Sequence, residues 1–182
     1  MVYMFLADGF EEIEALCPLD ILRRAGIEVT TVGIGRKNII GAHSIEVVAD
    51  ITDSDFVCDG LEMVILPGGM PGTLNLEGSN TCKTAIEYAY KNEKYIAAIC
   101  AAPSIIGKMG ILQGKNAVCF PGFEGELKGA DVKDIGVCTD GKIITAAGMG
   151  VAFEFGLRLV EVLRSKEAAD RIYYSTQAHR NS

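Results

Sequence analysis

The 182-residue chain is 49% hydrophobic with a mean hydropathy of +0.25, which suits a single domain over residues 1–182 with a sizeable core and a face to spare for an oligomer. Its 17 basic and 24 acidic residues leave a formal charge of −7, and the basic ones are scattered, so nucleic-acid binding is disfavoured. No apolar run approaches ~18 residues, and residues 1–8 lack a basic leader region, so neither a membrane span nor a signal peptide is expected.

In chain order, residues 2–7 predict a short buried strand. Residues 11–25 carry Ile13, Leu16, Leu19, Ile21 and Leu22 at helical spacing and end at Gly26, a candidate C′ glycine. Pro18 should kink that helix. Residues 27–34 form the next strand, and 38–49 a hairpin turning near Gly41-Ala42. Met63–Leu66 is a fully apolar strand entering Pro67-Gly68-Gly69. Helix 79–91, strand 95–99 and helix 101–109 follow. Residues 116–119 read as a strand and 123–128 as a short helical segment. Residues 135–139 and 142–146 pair through Asp140-Gly141, a dipeptide that favours type I′ turns. Residues 151–164 make a long helix with Phe153, Leu157, Val160 and Leu163 on one face, and 166–175 add another. Helices alternating with apolar strands predict an α/β fold: a doubly wound, mostly parallel sheet with helices on both faces.

Ligands of such sheets bind beyond the carboxyl ends of the strands. The loops at 8–14, 67–72 and 100–102 arrive there. Cys100 ends an apolar strand and is followed by Ala101-Ala102-Pro103, small enough for a sharp strand–turn–helix elbow with the thiol at its apex. A helix N-terminus there would favour the thiolate, the reactive form. The same cysteine also reads as a small buried residue closing a core strand. Gly68 and Gly69 allow close backbone approach, so Gly69 and Ala101 could supply two N–H donors to an oxyanion, or the glycines could form an ordinary turn. Glu11 and Glu12 read best as an acidic first helical turn. Glu14, beside Ile13 and Ala15, should point partly inward, as a proton carrier for the sulfur or as a structural carboxyl.

The six cysteines lie far apart with no C-x-x-C, so no disulfide framework is expected. Only His43 and His179 are present, neither near a second Cys or His at ligand spacing, so no metal is expected. Gly33-Ile34-Gly35 lacks a third glycine at dinucleotide spacing, and no phosphate-loop motif occurs, so no cofactor is expected. The absence of histidine near Cys100 makes a Cys-His-acid triad hard to build.

Three stretches are familiar: Ala7-Asp8-Gly9-Phe10-Glu11-Glu12-Ile13-Glu14, Leu66-Pro67-Gly68-Gly69, and Ala97-Ala98-Ile99-Cys100-Ala101-Ala102-Pro103. With Arg23-Arg24-Ala25-Gly26 and Phe153-Glu154-Phe155-Gly156, they resemble the ThiJ/PfpI superfamily, in the branch of the parkinsonism-associated deglycase and its bacterial relative YajL. The resemblance implies a flavodoxin-like sandwich and a cytoplasmic homodimer. Cys100 would be its oxidation-prone nucleophile, Glu14 the protonated glutamate bonded to that sulfur, and Gly69 and Ala101 the backbone donors, with Gly68 and Phe120 lining the site. Phe120 stands where some members carry histidine, which leaves Glu14 to handle protons. Ala101 in place of a histidine argues against peptidase activity. His43 falls near the hairpin position where some members carry arginine, without a role that transfers.

The resemblance implies cofactor-free glyoxalase chemistry, methylglyoxal to lactate, or deglycation of early glyoxal adducts on proteins and nucleotides. The alternative it implies is an oxidative-stress sensor or redox-regulated chaperone whose working event is oxidation of Cys100 to sulfinate. A glutamine amidotransferase would need a late histidine, and residues 130–165 have none.

Overall fold

Strand β1 (Val2–Leu6) shows why the sheet lies in the middle of the molecule: all five of its residues are buried. Side chains alternate across a strand. Val2, Met4 and Leu6 therefore enter one core, and Tyr3 and Phe5 the other. In the computed structural model, which describes residues 1–181, seven strands form one sheet in the order β10-β11-β7-β6-β1-β2-β5. They are β2 (Val29–Gly33), β5 (Ile51–Thr52), β6 (Met63–Leu66), β7 (Tyr95–Ile99), β10 (Val137–Asp140) and β11 (Ile143–Ala146), with β1 between β2 and β6. All neighbours pair in parallel except β10 with β11.

Helices α1 (Glu12–Arg24), α5 (Ala152–Leu163) and α6 (Lys166–Ser175) cover one face, where Ile21, Leu22, Phe155 and Leu159 meet β1 and β6. Helices α3 (Asn80–Lys91) and α4 (Pro103–Lys108) cover the other through Ile86 and Ile105. Each such fully buried large apolar side chain contributes about 1.5–3 kcal/mol. On the second face the rings of Tyr3 and Phe5 meet Phe56 edge-on, at 4.9 and 5.2 Å between centroids.

Helix α1 runs unbroken through Pro18 and ends at Gly26, whose φ is +69°. Gly26 N–H donates to Arg23 O and Ile27 N–H to Leu22 O, both at 3.0 Å, which closes the helix in a Schellman arrangement. Its start has no side-chain cap.

Several elements differ from expectation. The helix beginning at 79 is preceded by a separate α2 (Gly72–Gly78), divided from α3 at Ser79, whose side chain caps Cys82 N–H. The hairpin, by contrast, forms where expected, β3 (Asn38–Ile40) pairing with β4 (Glu46–Val48) outside the main sheet. Residues 116–119 shrink to β8 (Asn116–Ala117), which pairs with an unexpected β9 (Asp131–Val132). The helical segment at 123–128 is a single 3₁₀ turn, Glu124–Glu126. Edge strand β5 is also unexpected, being two residues long. No helix of the described residues is long and apolar enough to cross a membrane.

Candidate active site

The chain order reverses at β1: β2 lies on one side of it and β6 on the other. Loops leaving the carboxyl ends of β1, β6 and β7 meet at that crevice. Cys100 follows β7 directly and has a φ of +66°. The left-handed conformation strains a residue with a Cβ by roughly 1–2 kcal/mol. Backbone bonds hold it there: Cys100 N–H donates to Ala146 O at 2.9 Å, Ala102 N–H to Ile99 O at 3.1 Å, and Phe120 N–H to Cys100 O at 2.8 Å. The small Ala101 and Ala102, both buried, permit the turn.

Glu14 projects from the first turn of α1 into the same crevice and is 1% exposed. Its Oε2 accepts the Gly68 N–H at 3.0 Å. It also hydrogen-bonds to Cys100 and to the backbone of Met149. The backbone N–H groups of Ala101 and Gly69 both reach the Cys100 sulfur. Gly68 is where the three segments pack closest, since a Cβ there would lie 2.6 Å from both Cys100 Cβ and Glu14 Oε2. Gly69 has a φ of +89°, and a Cβ on it would lie 2.3 Å from Glu11 N. Phe120 is 48% exposed at the rim. Its ring and the Glu14 carboxyl share a wall with Gly148, where a Cβ would lie 3.1 Å from Phe120 Cδ2 and 4.0 Å from Glu14 Oε1. The structure thus brings together Cys100, Glu14, Gly68, Gly69, Ala101 and Phe120.

Burial pushes the Glu14 carboxyl up to about 7, and the hydrogen bonds from Cys100, Gly68 and Met149 only partly offset it. Burial also pushes the Cys100 thiol up to about 12, with the charge of Glu14 and its hydrogen bond adding to the rise, while the Ala101 and Gly69 N–H groups pull it down. This corrects the expectation that a helix N-terminus would favour the thiolate. Helix α4 begins only at Pro103 and has six residues, so its dipole is small, and a carboxylate faces the sulfur instead. The two groups titrate as a pair. Near neutral pH the pair passes from two protons to one.

Two residues contribute more than the sequence showed. Met149 supplies a backbone bond to Glu14 from the loop after β11. The Gly148-Met149-Gly150 pattern was the available signal for a fourth loop at the strand ends. Glu12 is the other. Its carboxylate is 4% exposed and turns to the hairpin, so more than a helix dipole engages it. His43 is exposed, with Nδ1 2.9 Å from Glu12 Oε2 and 3.6 Å from Glu11 Oε2. Glu11, Glu12 and His43 offer three potential metal-ligating atoms within 4.8 Å of one another. Both Glu12 oxygens already accept from the hairpin, so an ion there would have to displace those bonds. A surface cavity of about 470 Å³ lined by Lys94, Lys115 and Lys142 lies at the amino ends of β7 and β11, the opposite ends from Cys100.

The DJ-1/PfpI family model matches residues 1–162. Among curated proteins, the chain is 33% identical over 172 residues to protein dj-1beta of Drosophila melanogaster, covering 93% of this chain and 92% of that one. It is 30% identical over 185 residues to the glutathione-independent glyoxalase DJ-1 of Schizosaccharomyces pombe, covering 96% of each. Among solved structures, oxidised DJ-1 of Toxoplasma gondii superposes with a TM-score of 0.93 at 34% identity, covering 97% of both chains. A likeness this long in sequence, carried through the same α/β sandwich, means that the chain belongs to the DJ-1/PfpI family.

Proposed function

We propose that the protein is a cysteine-dependent, cofactor-free enzyme of glyoxalase type, acting on small 2-oxoaldehydes or their early adducts on proteins and nucleotides. The observation that carries this is the buried Glu14 carboxyl, held near pH 7 and hydrogen-bonded to Cys100. A carboxyl with that affinity for protons can take one and return it at neutral pH. The S. pombe relative's name as a glutathione-independent glyoxalase supports the same chemistry.

In the proposed cycle, Sγ bonds to the aldehyde carbon of methylglyoxal as its proton passes through Glu14 to the carbonyl oxygen, giving a hemithioacetal. The N–H groups of Gly69 and Ala101 stabilise the oxygen while it carries charge. Glu14 then removes the hydrogen on that carbon, and an enediol forms. The proton returns to the neighbouring carbon, which leaves a thioester of lactate. Water hydrolyses the thioester, so methylglyoxal plus water becomes lactate and the thiol is regenerated. Gly68 and Phe120 form the walls.

The test is lactate formation from methylglyoxal by chelator-treated protein. Cys100→Ser and Glu14→Gln should each lower turnover by about 10²–10⁴. Undiminished turnover in either overturns the mechanism. A second reading, a redox sensor or redox-regulated chaperone, is favoured by the half-buried sulfur lying among Glu14, Gly69 and Ala101, donors able to hold a sulfinate. Selective addition of two oxygens at Cys100 under mild peroxide, with negligible aldehyde turnover, would select it.

The proposal includes a cytoplasmic homodimer. Ile13 on α1 and Ile45 on the hairpin are 48% and 53% exposed beside the site, an apolar surface that a second copy would cover.

A further inference from the structure

Glu12 is a buried carboxylate that the mechanism above does not use. Its Oε1 accepts the backbone N–H of His43 at 2.8 Å and of Ile45 at 3.4 Å, and its Oε2 lies 2.9 Å from His43 Nδ1. Gly41 sits so close that a Cβ there would lie 2.2 Å from Oε1. Burial works to raise the carboxyl, yet the bonds from His43 and Ile45 outweigh it and hold Glu12 below the usual carboxylate range. The imidazole of His43 is raised in turn, by its bond to Glu12 and the charges of Glu11 and Glu12, the ionisable groups facing it among the described residues.

Helix α1 begins without a side-chain cap, so tertiary contacts must hold its first turn. Glu11 N–H donates to Gly68 O at 2.9 Å, and Ala42 N–H to Phe10 O at 2.8 Å. Glu12 and Glu14 are two residues apart, about 200° around the helix. One carboxylate is tied to the hairpin and the other to Gly68. Tethers on opposite sides fix how far the helix can roll about its axis.

We infer that Glu12 is a positioning residue: its carboxylate clasps the hairpin turn at 41–45 to the first turn of α1 and thereby sets Glu14 against Cys100. The kinetic side of this rests on the proposed function, but the geometric side does not. The experiment therefore reads Cys100 alkylation by iodoacetamide against pH, resolved by peptide mass, with amide hydrogen exchange at His43 and Ile45 and methylglyoxal turnover alongside. Glu12→Gln keeps an oxygen for both backbone N–H groups and should leave the alkylation profile close to wild type. Glu12→Asp is one methylene short of the hairpin. It should change the alkylation rate near neutral pH by about threefold or more, the effect of half a pKa unit. Exchange at 43 and 45 should rise about tenfold in Glu12→Asp. Glu12→Ala should behave like Glu12→Asp, and if it fails to fold the Asp and Gln variants decide alone. A Glu12→Asp variant like wild type reduces Glu12 to a helix-dipole charge and overturns the inference. So does faster hairpin exchange with an unmoved Cys100 profile. If wild-type protein forms no lactate yet Cys100 reactivity moves as expected, the glyoxalase reading fails and the clasp stands.

Discussion

Glu14 gains its chemistry from being buried with no cation paired to it among the described residues. Its folded-state pKa of about 7 lies above the ordinary carboxylate value. The protonated form is therefore favoured by folding. That stabilisation is complete below the unfolded pKa of about 4.3 and is lost as pH rises to about 7. Glu14→Gln removes the ionisation, so its stability relative to wild type should improve by about 3–4 kcal/mol between pH 4 and pH 8, as read by denaturant unfolding. Activity has the opposite sign. Turnover needs the singly protonated Cys100–Glu14 pair, so kcat/KM should climb through about pH 7 and plateau above it. A profile already flat from pH 5 would count against a Cys100–Glu14 pair that loses its first proton near neutral pH. At this scale the sequence showed that Glu14 could face inward, from its place beside Ile13 and Ala15. It did not show the high thiol pKa, because that depends first on burial of the sulfur in the folded crevice and then on Glu14, 86 positions away in the chain, being folded against it.

At the scale of elements, the site depends on three loops approaching more closely than side chains allow. Gly68→Ala would put a methyl group where Cys100 Cβ and Glu14 Oε2 already lie. It should reduce Cys100 alkylation and turnover about tenfold or more while the sheet stays folded by circular dichroism. Helices α1 and α5 meet at Gly156, where a Cβ would lie 2.7 Å from Ile21 Cδ1 and 3.1 Å from Pro18 Cα. Because the second neighbour is backbone, Gly156→Val should lower stability by about 1–3 kcal/mol in thermal or denaturant unfolding. Long or strongly patterned elements were legible: β6 and β7 fall where their apolar runs predict, and α5 where its periodicity does. The elements that escaped were short. Strand β5 has two residues and exists through pairing with β2, and α2 is a seven-residue helix with glycine at both ends. Neither carries a local pattern strong enough to declare itself.

For the whole molecule, the apolar surface around Ile13 and Ile45 leads to a prediction about assembly. Wild-type protein should run at twice its chain mass in light scattering, and Ile13→Glu should shift it toward the monomer. Monomeric wild-type protein would remove the dimer from the proposal. The overall architecture was readable from the chain because parallel strands buried on both faces are apolar throughout, and β1, β6 and β7 advertise this. The sharp turn at Cys100 after β7 was readable too, since Ala101 and Ala102 are small enough for it. Local sequence determines strand, turn and periodicity, whose causes lie within a few residues. Tertiary structure alone decided the protonation of the site and the docking of the hairpin. Both arise between groups distant in sequence: Glu14 with Cys100 and Gly68, and Glu12 with His43 and Ile45. The burial and hydrogen bonding that shift a carboxyl exist only once the chain has folded.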